Sequence, residues 1–171
     1  DLVEMAVQVG RVPEMSRESV EREPVCPVCG QGRLHAERGM RHIEHGGVEG
    51  EIPIHFSICD QCGSESAGTG EARANKRAMV AFRKRAEGLL TGDEIRRFRK
   101  ACNLTQDQAA RLFGGGKIAF SRYENDDIAQ SEAMDSLIRL CSEQPANLLL
   151  LENRKGVAIT ETAAGRRRSF S

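Results

Sequence analysis

"CPVCG" occupies residues 26–30 and returns as "CDQCG" at residues 59–63. Zinc binds four soft or borderline ligands in a tetrahedron, and a Cys-x-x-Cys pair on a tight turn supplies two thiolates from one side. Two such pairs, with 29 residues between them, complete the ligand set. The pattern therefore predicts one structural Zn²⁺ site whose ligands are Cys26, Cys29, Cys59 and Cys62.

The segment between the two pairs has the pattern of a β-hairpin. "RLHAERGMRHIEH" (33–45) is a candidate strand and "GGVEG" (46–50) is a glycine-rich turn. "EIPIHFSI" (51–58) alternates polar and apolar residues, which is typical of a half-buried strand, and it leads directly into Cys59. We expect a small zinc-binding domain over residues 25–70.

Other uses of the cysteines fit the sequence less well than a metal site does. The alternatives are two redox dithiols or a pair of disulfides, but a thioredoxin-like site has one Cys-x-x-Cys pair in a βαβ unit, and that context is missing. A catalytic zinc keeps one position open, whereas four thiolates fill all four. Cys102 and Cys141 are interpreted as small core residues rather than a redox switch. The histidines are interpreted as strand or loop residues; they are His35, His42, His45 and His55.

The overall net charge of zero hides a basic middle third. Residues 71–124 carry thirteen basic and six acidic side chains, net +7, while residues 1–25 and 26–70 are each net −3. A basic segment favours a polyanionic partner, although solvated helix faces give the same composition. No apolar run approaches the roughly 20 residues of a membrane span, and the first 24 residues lack signal-peptide features. Paired thiols bound to a metal favour a reducing, cytoplasmic location.

The second half of the chain has helical periodicity. A basic helical linker is expected over residues 71–90, beginning near Ala72, with Gly88 bending or ending it. Residues 91–151 are expected to form a compact helical domain. Its helix starts are marked by capping residues, and Thr105 forms a capping box with Gln108. The predicted N-caps are Thr91, Thr105 and Ser131.

"LTQDQAARLFGGGKIAFSRYE" (104–124) contains the parts of a helix-turn-helix: a bracing helix, a glycine turn and a second helix. The spacing turns one face of these helices into the core, and the core candidates are Leu112, Phe113, Phe120 and Tyr123. On the open face an arginine can bind guanine bidentately, and an isoleucine can contact a thymine methyl group. The predicted DNA-contacting residues are Gln106, for a phosphate, and Lys117, Ile118, Ser121 and Arg122, for the bases.

Two other interpretations of this stretch were considered. The helices could form a protein-binding bundle that never meets DNA. "GGGK" could suggest a phosphate-binding loop, but that motif needs a glycine and a hydroxyl residue where Arg111 and Ile118 stand, so it is rejected.

Together, "CPVCG…CDQCG", "LTQDQAARLFGGGKIAFSRYE" and "QSEAMDSLIRL" resemble the MqsA-type antitoxins of bacterial toxin–antitoxin systems, over residues 25–150. The resemblance implies a zinc domain that binds a toxin and an XRE-type helix-turn-helix that dimerises, binds a palindromic operator and represses its own operon. It also implies base-reading roles for Lys117, Ile118 and Arg122. By the same resemblance, Arg99 and Glu124 match a bracing salt bridge.

The sequence therefore predicts an α+β protein: a small N-terminal zinc-binding β-hairpin domain with four cysteine ligands, followed by an all-α XRE-type helix-turn-helix bundle. An extension of undetermined order (1–24) precedes the two domains, and a flexible tail (152–171) follows them. The predicted function is a homodimeric antitoxin and transcriptional repressor, acting without enzymatic chemistry and without a membrane. The alternative is a stand-alone XRE-family regulator whose zinc domain is structural or sensory.

Overall fold

The computed structural model describes residues 23–116 and 118–157. The sheet precedes the helices, so the chain has the α+β fold predicted from the sequence. The strands are β1 (Leu34–His45), β2 (Val48–Cys59) and β3 (Glu65–Ser66). The helices are α1 (Thr69–Ala86), α2 (Gly92–Ala101), α3 (Gln106–Phe113), α4 (Ala119–Glu124), α5 (Glu132–Glu143) and α6 (Pro145–Lys155).

β1 and β2 form one long antiparallel hairpin, in register from Leu34 opposite Cys59 to His45 opposite Val48. The turn is shorter than the predicted glycine segment: only Gly46 and Gly47 lie outside the strands, with φ of +58° and +78°. Positive φ at both central residues is the twist that a two-residue hairpin turn requires. The long hairpin brings the two cysteine pairs, 29 residues apart, to the same end of the sheet.

α1 packs along β2 and fixes the hairpin. The ring of Phe82 lies directly over Gly50, where an added Cβ would come within 2.6 Å of it. Asn75 makes two hydrogen bonds to the backbone of His55, accepting from its N–H at 2.7 Å and donating to its C=O at 2.8 Å. Beneath the helix, Ile52 is buried, as the alternating pattern of this strand predicts.

The helix begins earlier than its sequence pattern suggested. α1 starts at Thr69 rather than near Ala72, because the side chain of Glu71 accepts the backbone N–H of Gly68 at 2.6 Å and completes the first turn. It ends before Gly88, whose φ of +72° cannot continue a helix.

Helices α2–α6 enclose a separate apolar core. Phe113 is at its centre, with ring centroids 5.6 Å from Phe98 and 5.8 Å from Phe120. Cys141 is buried in this core and Cys102 packs against it, so both are core residues as predicted. The aromatic contacts join α2, α3 and α4, and therefore hold the second helix of the helix-turn-helix on a rigid base.

The chain ends differ from the predicted boundaries. α6 continues to Lys155, beyond residue 151, and Val157 is buried, so the predicted tail begins inside ordered structure. Residues 1–22, most of the predicted extension, and residues 158–171 lie outside the described residues. Among the residues that are described, no helix is both long and apolar enough to span a bilayer.

Candidate metal centre and nucleic-acid interface

The four predicted cysteine ligands come together at the open end of the hairpin. Their Sγ atoms all lie within 4.8 Å of one another. Sγ of Cys26 is 3.8 Å from that of Cys62, and Sγ of Cys29 is 3.7 Å from that of Cys59. A tetrahedron with Zn–S bonds of about 2.3 Å places its sulfurs about 3.8 Å apart. The cluster therefore has the donor set and the dimensions of a four-thiolate metal site.

Both cysteine loops are built in the same way. The first cysteine of each pair accepts a backbone N–H of its own loop at 3.4 Å, from Val28 to Cys26 and from Gln61 to Cys59. The glycine after each pair has positive φ, +69° at residue 30 and +67° at residue 63, which a residue with a side chain rarely adopts. Each glycine turns the chain back over the sulfurs.

A third glycine lies where the two loops meet. An added Cβ at Gly32 would collide with Sγ of Cys59 and come within 2.7 Å of Oδ1 of Asp60. The carboxylate of Asp60 also accepts the backbone N–H of Arg33 at 2.8 Å, which ties the two loops together. Only a residue without a side chain lets the loops approach this closely.

The thiols influence each other's protonation. The hydroxyl of Ser64 and nearby backbone groups lower the pKa of Cys26 to about 6. The N–H of Cys62 favours the thiolate of Cys59, but burial and the adjacent Cys62 and Cys26 thiols outweigh it and raise the Cys59 pKa to about 11. Adjacent thiolates repel one another, so a divalent cation is what would let all four ionise together.

The histidines do not join this cluster in the described part of the chain. The ring nitrogens of His35 face the carboxylates of Glu23 at 3.0 Å and Asp60 at 3.5 Å instead. His45 pairs with Glu87 at 2.7 Å, at the far end of the hairpin. The sulfurs are therefore the candidate ligands, as the sequence predicts.

The helix-turn-helix is held by a buried carboxylate. Glu124, at the end of α4, is almost fully buried and accepts hydrogen bonds from Arg99 of α2 and, at 2.8 Å, from the side-chain amide of Gln106 of α3. Burial alone would raise the pKa of Glu124, but the hydrogen bonds from Arg99 and Gln106 outweigh it and lower the pKa. One carboxylate thus fixes three helices.

The predicted DNA-contacting residues lie in different settings. Ile118, just before α4, is 67% exposed, and Arg122 is exposed one turn further on. Ser121 is half-buried beside Asn125, whose amide faces its hydroxyl at 3.5 Å. The amide of Gln106 bonds to Glu124, so its side chain contributes to bracing, while its backbone N–H lies in the first turn of α3. Lys117 lies outside the described residues.

Comparison with known proteins identifies the family. Residues 25–154 match the family described as the antitoxin component of a bacterial toxin–antitoxin system, MqsA. The chain belongs to the MqsA antitoxin family. It is 30% identical to the protein named Antitoxin MqsA of Escherichia coli (strain K12) over 129 residues, which cover 70% of this chain and 93% of that relative. The resemblance that the sequence motifs indicated is confirmed.

The linker of this MqsA-family chain contains two cations whose contacts the sequence did not reveal. The sequence predicts a basic helical linker over residues 71–90, but Lys84 of this helix is fully buried and Arg77 is ion-paired with Asp127. Nζ of Lys84 donates to the carbonyl of Tyr123 at 2.9 Å and to Oδ1 of Asp126 at 2.7 Å. No local pattern marks these partners, because they lie 39 to 50 residues away in the sequence.

Proposed function

We propose that this MqsA-family antitoxin represses its own operon by binding operator DNA through α3 and α4, and neutralises a toxin by binding it through the cysteine module. Both actions are binding, without chemistry on a substrate. We also propose that the cluster holds one structural Zn²⁺, since four thiolates leave no open position for catalysis. A cluster of free thiols suits a reducing compartment, so we place the protein in the cytoplasm.

The observation that carries DNA binding is the surface of α4. Ile118 is exposed while the next two residues, Ala119 and Phe120, are buried in the helical core. Ile118 and, one turn later, Arg122 are both exposed and suit the base edges of a major groove. Ile118 can contact a thymine methyl group, and Arg122 can bind guanine. The carboxylate of Glu124 keeps this short helix in place on its neighbours.

Residues around α4 suit the phosphate backbone. The first turn of α3 presents the backbone N–H of Gln106 at a helix N-terminus, which favours an anion. Arg73 and Lys76 of α1 are exposed and line the same cleft as Arg122. These contacts would give affinity and register, while the bases give specificity.

A second copy of the chain is the proposed partner of the α5–α6 surface. Leu140, Leu149 and Leu150 are each more than half exposed on these two helices. Large exposed leucines on two adjacent helices favour an interface between protein chains. Dimerisation there would place two copies of α4 about 34 Å apart, the spacing of successive major grooves on a palindromic operator.

The toxin is proposed to bind the cysteine module, as the resemblance implies. In the described residues β1 pairs with β2 on one side. On its other edge the N–H of Leu34 donates to the carbonyl of Pro24 at 3.0 Å, and the edge beyond it, around the middle of the strand, is not paired with another described strand. Met40, in the middle of this edge strand, is 60% exposed. An open edge with an apolar side chain can accept a strand from another protein.

DNA binding is tested with a labelled duplex from the region upstream of the gene and a scrambled duplex of equal length. Arg122→Ala should weaken binding to the upstream duplex by about 1–3 kcal/mol and relax base preference. Arg38→Ala, which removes an exposed charge from β1, is the matched control and should leave binding unchanged. An equal loss for Arg122→Ala on both duplexes would show that Arg122 contacts only phosphate.

Toxin binding is tested by co-expressing the tagged chain with each neighbouring gene. A partner retained by the wild type and lost with Met40→Lys supports the proposed surface. If no neighbouring product co-purifies and none inhibits growth when expressed alone, the stand-alone regulator replaces the antitoxin as the interpretation of the function.

A further inference from the structure

The buried Lys84 is unusual for a linker helix. Its side chain has no exposed surface, whereas Arg73, Lys76, Arg83 and Arg85 on the same helix are exposed. Lysine is almost never fully buried unless it is paired, because removing its charge from water is costly. The hydrogen bonds that offset this cost therefore identify the parts of the chain to which the linker helix is attached.

Those contacts join three parts of the helical domain. Nζ of Lys84 donates to the last turn of α4, at the carbonyl of Tyr123, and to Oδ1 of Asp126 in the segment that follows. The same oxygen of Asp126 accepts the N–H of Gly92, the first residue of α2, at 2.9 Å. Asp126 has φ of +54°, a conformation that costs free energy for a residue with a side chain. One ion pair thus ties α1 to the end of the proposed recognition helix.

A second ion pair lies on the same face of α1. Nε and Nη2 of Arg77 donate to the two carboxylate oxygens of Asp127 at 2.8 and 3.2 Å. Arg77 and Lys84 are seven residues apart, which is two helical turns and about 10 Å along the axis. Two anchor points on adjacent aspartates fix both the position and the direction of α1. We call the pairs Lys84–Asp126 and Arg77–Asp127 the aspartate clamp.

The clamp brings basic side chains of α1 next to α4. Arg73, Lys76 and Arg122 line one open cleft of about 570 Å³, with Arg77 and Asp127 in its wall. The hydrogen bond from Arg77 lowers the pKa of Asp127, and the charges of Arg73 and Arg122 lower it further, which places both guanidinium groups near this carboxylate. Since Asp127 is already paired with Arg77, three cations face the cleft with little compensation. Such a surface suits the phosphates of a DNA strand.

We propose that Lys84 is a positioning residue for operator binding: through the aspartate clamp it holds α1 so that Arg73 and Lys76 contact the same DNA strand as Arg122. The inference rests on the proposed function of DNA binding. It assigns a role in DNA affinity to a lysine that has no surface with which to touch DNA.

The test measures the Kd of the full chain for the labelled upstream duplex over a range of salt concentrations. The slope of log Kd against log salt reports the number of phosphates contacted, at about 0.9 per phosphate. Arg73→Ala with Lys76→Ala removes two cations from each copy of the proposed dimer, four per operator complex, and should reduce the slope by about 3.6. Lys84→Met should reduce it by the same amount although it removes no exposed charge, and adding it to the Arg73/Lys76 variant should reduce the slope no further. Lys155→Met, an exposed charge-matched control on α6, should leave the slope unchanged.

The clamp can also be broken without a buried unpaired charge. Lys84→Met combined with Asp126→Asn removes both partners, and Asp127→Asn breaks the second pair at a partly exposed position. Asp127→Asn is the sharper test, because it removes a negative charge from the cleft. If only the charge of the cleft matters, Asp127→Asn should bind DNA more tightly. If the pair with Arg77 positions α1, the variant should bind more weakly and should show a smaller slope of log Kd against log salt.

The outcomes separate the two proposals. If the wild type shows no salt-dependent preference for the upstream duplex, the proposed function fails, and this inference fails with it. If the wild type binds but Asp127→Asn binds more tightly, or if folded Lys84→Met/Asp126→Asn keeps the wild-type slope, only the positioning role is overturned. Far-UV circular dichroism establishes that each variant is folded.

Discussion

Replacing Glu124 by glutamine tests the buried network on which the helix-turn-helix depends. The side chain is 1% exposed and accepts hydrogen bonds from two nitrogens of Arg99 and one of Gln106. Glutamine has nearly the same shape but one acceptor oxygen, and its amide would face a donor. Two hydrogen bonds to charged groups, at about 1.5–3 kcal/mol each, are weakened. Arg99 still donates a hydrogen bond to the carbonyl of Leu104 at 2.8 Å, so its charge is not left without a partner. We therefore expect the free energy of unfolding to fall by about 3–4 kcal/mol.

The pH dependence of this loss distinguishes an ion pair from simple packing. The folded pKa of Glu124 is lowered from its ordinary value of 4.5. Its contribution to stability is therefore fully present above that value and is lost as the pH falls through the lowered folded pKa. Glu124→Gln cannot titrate there. The difference between wild type and variant should be largest at neutral pH and should shrink in acid.

The assay is urea unfolding followed by far-UV circular dichroism at neutral pH and in acid, on wild type, Glu124→Gln and Glu132→Gln. Glu132 is exposed, so its substitution should change stability by no more than about 0.5 kcal/mol at either pH. A Glu124→Gln loss below about 1 kcal/mol at neutral pH, or a loss that is the same in acid, would refute the reasoning.

Three further substitutions or treatments test the rest of the site. Gly32→Ala should lower the zinc content of the purified protein, because the added Cβ collides with Sγ of Cys59. Elemental analysis measures this content. Gly70→Ala is the control: its Cβ has free space, so this variant should keep the metal. Removing the metal with a chelator should abolish hydrogen-exchange protection in the hairpin but not in the helical core, since the core residues of the helices are separate from the hairpin. If both lose protection together, the hairpin and the helices unfold as one cooperative unit. Leu150→Glu should shift the sedimenting species from dimer to monomer, while Arg154→Glu, a nearby exposed residue, should not.

Local signals in the sequence were enough to predict the cysteine cluster and the helix caps. The cysteine loops depend on residues two and three positions apart, so their spacing predicts them. The capping box is equally local: Thr105 and Gln108 exchange the predicted hydrogen bonds at 3.1 and 2.9 Å. Ser131 caps α5 in the same way, accepting the N–H of Met134 at 3.2 Å.

Features that depend on distant partners could not be predicted in this way. Gln106 sits where a phosphate contact is expected, yet its amide bonds to Glu124, 18 residues away in sequence. The end of the helical domain was placed at residue 151, but α6 continues to Lys155 and the following turn buries Val157. Glu152, Arg154 and Lys155 are good helix formers, so α6 continues until Gly156, whose φ of +62° ends the helix.

The most informative of these differences is Lys84. Composition treats it as one more charge in a basic segment, and the number of positive charges predicts that a polyanion binds. The structure divides that segment by environment: Arg73, Lys76, Arg83 and Arg85 are exposed, while one buried lysine and one arginine are ion-paired with two aspartates after α4. Net charge alone therefore overestimates the number of cations in this segment that are free of an ion pair and exposed. Because α1 packs along β2 and is also hydrogen-bonded to the end of α4, it contacts both the cysteine hairpin and the proposed DNA-reading helix. A partner that moved the hairpin would therefore have to break the clamp or carry α4 with it.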